Sequence, residues 1–129
     1  ALGAVALREY IVKSIRLLLG EDTVNVSGLP STGRVSFMEQ KSEFRSILHL
    51  LYANTILRGG SSAGFAPVEV IEELNPLYEF AVTVRPRKAV SKVRLVPEGV
   101  DLPFTRCADG TVCFTVPKLL CHQMVELHD

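Results

Sequence analysis

The stretch LPSTGRVSFMEQKSEFRSILHLLY, residues 29–52, decides the fold class. Its first half places apolar residues at every second position, at Val35 and Phe37, which is the period of a β-strand with one face against a core. The segment QKSEF, residues 40–44, predicts a turn. Residues 45–53 are then almost wholly apolar, so they predict a central strand that is covered on both faces.

The same alternation continues toward the C-terminus. Residues 78–84 and 92–95 both alternate, and we predict that the segment PRKAVS, residues 86–91, joins them as an antiparallel hairpin with one solvated face. Between this region and the first strands, the segment LRGGSSAGFAP, residues 57–67, has the composition of a long flexible loop.

A second hairpin is predicted within residues 101–117. A three-residue turn at 108–110, with Gly110 in the left-handed conformation, places Phe104 opposite Phe114. A two-residue turn would instead place Phe104 opposite a threonine. The three-residue turn is therefore preferred, because it pairs apolar residues with each other.

The N-terminal residues predict the one α-helix. Apolar side chains recur at intervals of three and four positions, which lines one helical face; they are Leu7, Ile11, Ile15 and Leu18. Gly20 supplies the C-terminal cap. Further apolar residues at Val5, Val12 and Leu19 widen the stripe beyond the needs of a surface helix. We expect residues 1–20 to be the last helix of an upstream domain and residues 21–129 to form a separate β domain.

Taken together, the strands predict a mainly β fold. They follow one another through short connections, with no helix after residue 20. This pattern is typical of an antiparallel two-sheet β-sandwich of the immunoglobulin-like kind, here preceded by one N-terminal α-helix.

The composition narrows the possible partners and location. Basic and acidic residues balance at 14 each, whereas nucleic-acid binding requires excess positive charge, so nucleic acid is not an expected partner. No apolar run reaches the length of a membrane span, so no membrane partner is expected. Cys107, Cys113 and Cys121 are an odd number without metal-site spacing, which favours free thiols in a reducing, cytoplasmic compartment.

Few residues are suited to catalysis. His49 lies between two leucines within a strand and is interpreted as structural. His122 and His128 would lie about 20 Å apart along one strand, too far to share a metal. The carboxylate pairs at 21–22 and 72–73 border turns, where charged residues are usually only solvated. We predict no catalytic residue, no cofactor and no metal site.

Five residues are the candidates for contact with a ligand or partner: Tyr52, Tyr78, Arg85, Arg87 and Lys88. The chain has no Trp, and the two tyrosines fit the rim of a core, with a buried ring and an exposed hydroxyl. The three basic residues cluster at a turn. They form either a patch for an anionic partner or a solvated surface that faces the acidic segment at 68–74 across adjacent strands.

The order of the segments resembles a known family. A helix ending IRLLLGED, then LPSTGRVSFMEQ, RSILHLLYAN, VRLVPEG and HQMVEL, is similar to the C-terminal end of large bacterial glycoside hydrolases of the β-galactosidase family-42 type and their uncharacterised relatives. The resemblance implies a catalytic barrel and an amidotransferase-like domain upstream of a small sandwich. It also implies that the catalytic glutamates lie in the barrel, so no catalytic residue is assigned to this chain.

The leading hypothesis is therefore a non-catalytic C-terminal accessory domain, whose expected partners are the upstream domains of its own chain and a homo-oligomer. Whether the parent is a galactosidase, a fucosidase or another glycosidase is left open. The alternatives are a carbohydrate-binding module, for which sugar would be the partner, and an immunoglobulin-like interaction domain.

Overall fold

The computed structural model describes residues 5–20, 22–60, 64 and 66–129. Over these residues the chain forms helix α1, Val5–Leu19, one 3₁₀ turn, Lys41–Glu43, and eleven strands. The strands are β1 Val24–Val26, β2 Arg34–Gln40, β3 Arg45–Leu51, β4 Ile56–Arg58, β5 Val68–Val70, β6 Leu77–Val84, β7 Lys92–Val96, β8 Val100–Asp101, β9 Phe104–Arg106, β10 Val112–Leu119 and β11 His122–His128.

Two antiparallel sheets form the body of the protein. One has four strands in the order β1-β6-β10-β9, and the other has five in the order β2-β3-β11-β7-β8. The described part of the chain also contains a two-stranded sheet made of β4 and β5. The predicted fold class, an antiparallel two-sheet β-sandwich preceded by one helix, is confirmed.

The core lies between the two sheets. Each sheet contributes alternate residues of its central strands, because successive side chains of a strand point to opposite faces. The four-stranded sheet supplies Phe80, Val82, Val84, Val112, Phe114, Val116 and Leu119, and the five-stranded sheet supplies Leu48, Leu50, Val93, Leu95, Val125 and Leu127.

The predicted hairpin is confirmed in its turn and in its register at residues 104–106 and 112–114. The predicted pairing of Leu102 with Val116 is wrong, because the Leu102 N–H donates to the Val93 carbonyl of the other sheet. Phe104 pairs with Phe114 in the β9–β10 ladder. The Cys107 N–H donates to the carbonyl of Thr111 at 2.8 Å, which leaves three residues in the turn, and Gly110 has a φ of +83°. The register was predictable because the turn chemistry is local.

The predicted hairpin between residues 78–84 and 92–95 is wrong. β6 belongs to the four-stranded sheet and β7 to the five-stranded sheet, so the connection crosses the end of the sandwich. Val90, within this connection, is buried in the core, and its carbonyl accepts a hydrogen bond from Arg106. The alternation of apolar residues could not distinguish the two connections, because a hairpin and an inter-sheet crossing both leave one apolar face on each strand.

Two other expectations need correction. β3 is central, lying between β2 and β11, but only one face is fully covered: Leu48 and Leu50 are buried, whereas Leu51 is 44% exposed. The predicted loop at 57–67 begins later than expected, because Leu57 and Arg58 belong to β4, which pairs with β5. Residues 61–63 and 65 of that loop lie outside the described residues.

The inward face of the four-stranded sheet shifts by one residue near its end. In β6 the buried positions run Phe80, Val82 and Val84, yet Leu77 rather than Tyr78 packs against the core. Glu79 between them has a φ of +49°, a left-handed conformation that rotates the strand. Tyr78 is consequently 63% exposed.

We expect Glu79→Gly to stabilise the protein by about 0.5 to 1 kcal/mol, because glycine avoids the left-handed penalty that an L side chain carries. Urea denaturation measures the change. The matched control is Ala81→Gly, two residues along the same exposed face, which should destabilise by about 0.5 to 1 kcal/mol. Effects of the same sign at both positions would contradict this account of the shift.

Leu48→Ala is expected to destabilise the protein by about 2 to 5 kcal/mol, because it opens a cavity where the two sheets meet. The comparison is Leu51→Ala on the same strand, which faces outward and should cost below about 1 kcal/mol. Chemical denaturation of the two variants, compared with the parent chain, gives the difference. Equal losses would show that the assigned inward face of β3 is wrong.

Candidate functional site

A cavity of about 780 Å³ lies between α1 and the outer face of the four-stranded sheet. Asn25, Thr83 and Cys113 form one row of its floor, because they are paired across β1, β6 and β10. The wall is formed by the β9–β10 turn and by the last turns of α1. Among the described residues that line it, none is aromatic.

Four of the charged residues that line this cleft form two ion pairs, and Lys13 is the fifth charged residue of the lining. Arg16 lies 2.9 Å from Asp22, and Arg85 lies 3.4 Å from Asp109. The Thr111 hydroxyl and backbone N–H also donate to Asp109, at 2.7 and 3.0 Å. These hydrogen bonds, followed by the nearby Arg85, hold the pKa of Asp109 below its usual value. Asp109 therefore remains a carboxylate and is poorly suited to act as a general acid.

The Cys107 thiol in the cleft is not activated. Cys107 and Cys113 are free, as predicted. A hydrogen bond with Cys113, together with the charge of that neighbouring group, raises the pKa of Cys107. A raised pKa reduces the fraction of thiolate, which is the nucleophilic form. The cleft thus presents several polar groups, and its Cys107 thiol lacks the environment of a catalytic nucleophile.

Three of the predicted contact residues do gather at one place. Arg85, Arg87 and Lys88 line a second cavity of about 340 Å³ at the end of the sandwich. Lys88 lies 2.8 Å from Asp129, and Arg87 lies 3.9 Å from Glu39.

The expectation that this basic cluster faces the acidic segment at 68–74 is wrong. Glu72 of that segment pairs with Arg58 instead, at 2.5 Å. The reason is topological: β5 pairs with β4, apart from the sandwich.

The two predicted tyrosines lie apart from this cluster and from each other. Tyr52 is only 7% exposed and belongs to the core, so its ring is buried as predicted. Tyr78 is exposed because of the shift at Glu79. The five predicted residues therefore form no single site.

Helix α1 turns its polar side toward the cleft and its apolar side away. Lys13 and Arg16 line the cleft together with the apolar Leu17, whereas the opposite stripe is solvent-exposed; its members are Leu7, Ile11, Val12, Ile15, Leu18 and Leu19. We call these six residues the α1 stripe. An exposed apolar surface of this kind is typical of a docking site for another protein segment.

Exposed apolar side chains also lie on the β4–β5 sheet, on both of its faces. Its side chains Ile56, Leu57 and Val68 are exposed, as is Ile71 just beyond β5. The two strands pair with each other and, within the described residues, with no strand of the sandwich. The sheet therefore forms an arm, which we call the β4–β5 arm.

The outer face of the five-stranded sheet carries an ionic cluster that the sequence analysis missed. Glu126 is only 5% exposed. It accepts a hydrogen bond from Arg45, and its other oxygen lies 3.0 Å from His128 Nε2. Burial raises the pKa of Glu126, but the hydrogen bonds from Arg45 and His128 outweigh it, so the pKa lies below its usual value. Residues 45 and 126 meet only through the β3–β11 pairing, which local patterns do not reveal.

Membrane-spanning helices and clusters of three metal ligands are two further features that the described residues do not show. No described helix combines the length and apolar character of a membrane span. Among the described residues, no three side chains of His, Cys, Asp or Glu lie close enough together to hold a metal ion.

The chain is similar to part of a solved enzyme, α-L-fucosidase isoenzyme 2 from Paenibacillus thiaminolyticus. The two are 38% identical with a TM-score of 0.85, over 98% of this chain and 18% of that chain. No protein-family model matches the chain, and no curated protein does. The chain thus spans about a fifth of the length of the solved fucosidase chain.

This match confirms the coarser form of the predicted resemblance. The chain is related in sequence and fold to a small part of a glycoside hydrolase. The finer expectation, a β-galactosidase of the family-42 type, finds no support, because the matched enzyme is a fucosidase. The match also lends no support to an amidotransferase-like domain before the sandwich.

Replacing Glu126 with Gln should destabilise the protein by about 1.5 to 3 kcal/mol at pH 7, since charge-assisted hydrogen bonds are lost. Because the folded-state pKa is lowered, the carboxylate stabilises the fold above the unfolded pKa of about 4.3, and this contribution is lost as the pH falls below it. Urea denaturation of both proteins across this range should therefore show a difference that shrinks with acid. Glu69→Gln, at an exposed position, is the control, and a difference independent of pH would contradict the prediction.

Proposed function

We propose that this chain is a non-catalytic accessory domain of a glycoside hydrolase and that the α1 stripe packs against another part of the same longer protein. The parent enzyme is proposed to act on α-L-fucosides, by analogy with the matched enzyme. The single observation that carries the proposal is the orientation of α1, which presents its apolar side away from the sandwich.

The orientation of α1 argues for a partner outside the sandwich. A helix whose apolar side faced its own domain would have that side buried already and would need no further partner. Here the polar side, with Lys13 and Arg16, faces the sandwich, so the sandwich cannot cover the α1 stripe without a rearrangement. Burial of this stripe would contribute about 25 cal/mol per Å² of apolar surface removed from water.

The match to the fucosidase supports the choice of partner. It extends over 98% of this chain, so helix and sandwich are matched together as one unit. The remaining four fifths of that enzyme lie outside the matched part. A segment of the parent hydrolase is therefore the simplest occupant for the α1 stripe.

The chemistry of the cleft supports a non-catalytic role. Its carboxylates Asp22 and Asp109 are each paired with an arginine, and Cys107 is held as a thiol. Glycoside hydrolysis ordinarily uses two carboxyl groups, one of them a proton donor with a raised pKa. The cleft supplies no group with that property among its described residues.

An activity measurement tests the non-catalytic role. We expect the isolated chain to release no fluorophore from 4-methylumbelliferyl α-L-fucoside or β-galactoside above a blank, whereas the longer protein that contains it cleaves the fucoside. Turnover by the isolated chain would contradict the proposal. Cleavage of the galactoside alone by the longer protein would overturn the proposed substrate class.

The docking of α1 is tested by one double substitution, made both in the isolated chain and in the longer protein that contains it. Ile11→Glu with Ile15→Glu should leave the unfolding of the isolated chain within about 0.5 kcal/mol, since both side chains are exposed there. In the longer protein the same change should lower stability by about 2 kcal/mol or more, because two charges would be buried. Differential scanning calorimetry measures both.

Glu9→Lys is the matched control, since it changes charge on the opposite side of the same helix. It should have little effect in either context. Equal effects of the double substitution in the isolated chain and the longer protein would contradict docking through the α1 stripe.

A further inference from the structure

Two histidines that are distant in sequence lie side by side on the outer face of the five-stranded sheet. His49 Nδ1 and His122 Nε2 are 3.3 Å apart. The ring planes are within 8° of parallel, and the ring centroids are 5.5 Å apart. The partner of His49 was not predictable from the residues near it in sequence, because His122 is brought to it by the pairing of β3 with β11.

A strained turn brings His122 to this position. Within the ladder His49 pairs with Met124, so His122 is its diagonal neighbour. The His122 N–H donates to the Leu120 carbonyl at 2.8 Å, and Cys121 between them has a φ of +67°. A γ-turn with a positive central φ is rare and strained. The Cys121 carbonyl in turn accepts the Tyr52 N–H at 2.7 Å, which fixes the turn to the end of β3.

We propose that His49 and His122 form a binding site for a divalent transition-metal ion of the zinc class. Zinc binds imidazole nitrogen at about 2.0 to 2.1 Å in tetrahedral geometry, which places two nitrogen ligands about 3.3 to 3.4 Å apart. The observed separation of 3.3 Å meets this distance. The two nitrogens face each other almost head-on, so each ring turns slightly for both nitrogens to converge on one ion. Imidazole is also a ligand type that suits Zn²⁺, Ni²⁺ and Cu²⁺.

Binding follows directly from the chemistry of the pair. The two nitrogens that face each other share one hydrogen in the neutral pair, since one ring must donate and the other accept. The metal replaces that hydrogen, which moves to the other nitrogen of its own ring, so that both facing nitrogens become ligands. Two protein ligands leave the remaining coordination positions to water.

The side chains next to the two histidines add no acidic ligand to the site, so we expect a moderate affinity for the metal. In the two ladder rows that contain the histidines, the neighbours are Ser36, Met124 and Val96 beside His49, and Leu51 and Arg34 beside His122. No carboxylate belongs to these rows. The Arg34 guanidinium donates to the carbonyls of Ser31 and Gly33, so it is held toward its own loop.

Calorimetric titration with Zn²⁺ tests the site in the full chain carrying Cys107→Ser, Cys113→Ser and Cys121→Ser, which removes the three free thiols as rival ligands. We expect one Zn²⁺ to bind per chain. His49→Gln and His122→Gln should each weaken binding by about tenfold or more. His128→Gln, on the same strand but outside the pair, is the matched control and should change the affinity by less than about twofold.

A thermal-unfolding measurement distinguishes the loss of a metal ligand from a variant that folds poorly. Zn²⁺ should raise the midpoint of the parent chain and of His128→Gln, because a ligand that binds only the folded state stabilises it. It should leave unchanged the midpoint of the variant that lacks both His49 and His122. Absence of saturable binding, or equal weakening by all three histidine substitutions, would overturn the site; neither result bears on the proposed accessory role.

Discussion

The pairing of β11 with β3 on one side and β7 on the other is the interaction on which the rest of the structure depends. The chain changes sheet after β1, β3, β5, β6, β8 and β10, so the five-stranded sheet is complete only when its last strand enters the middle. Val125 and Leu127 of that strand are fully buried against the facing sheet. Because these contacts join distant parts of the sequence, the core forms cooperatively rather than hairpin by hairpin.

The same strand organises the outer face of its sheet. Glu126, between two buried apolar residues, points outward and is shielded by Arg45 and His128. His122, at the start of the strand, lies beside His49. The polar groups of this face are therefore held in place by the core pairing beneath them, whereas α1 and the β4–β5 arm lie outside it. This division separates the parts that stabilise the domain from the parts that are available to contact other segments.

Local patterns in the sequence predicted the fold class and the β9–β10 hairpin, because alternation and turn chemistry act over a few residues. They could not predict which strands share a sheet. The segments 78–84 and 92–95 alternate equally well as a hairpin or as strands of two sheets. The position of Tyr78 depended on the left-handed conformation of Glu79, which no residue pattern signals.

The candidate site was less predictable than the fold. Arg85, Arg87 and Lys88 are close in sequence and do lie together, but their acidic partners Asp109, Glu39 and Asp129 come from other parts of the chain. The sequence did predict the unpartnered stripe on α1, since helical periodicity is a local property.

The account holds that the two-sheet core is stable by itself and that α1 serves as a contact surface. The most direct measurement is the free energy of unfolding of a chain that begins at Gly20, compared with the whole chain. The account predicts a cooperative transition whose free energy lies within about 1 kcal/mol of the original, because the described side chains of α1, residues 6–19, are exposed apart from the half-buried Ser14. A loss of several kcal/mol, or a non-cooperative transition, would contradict it.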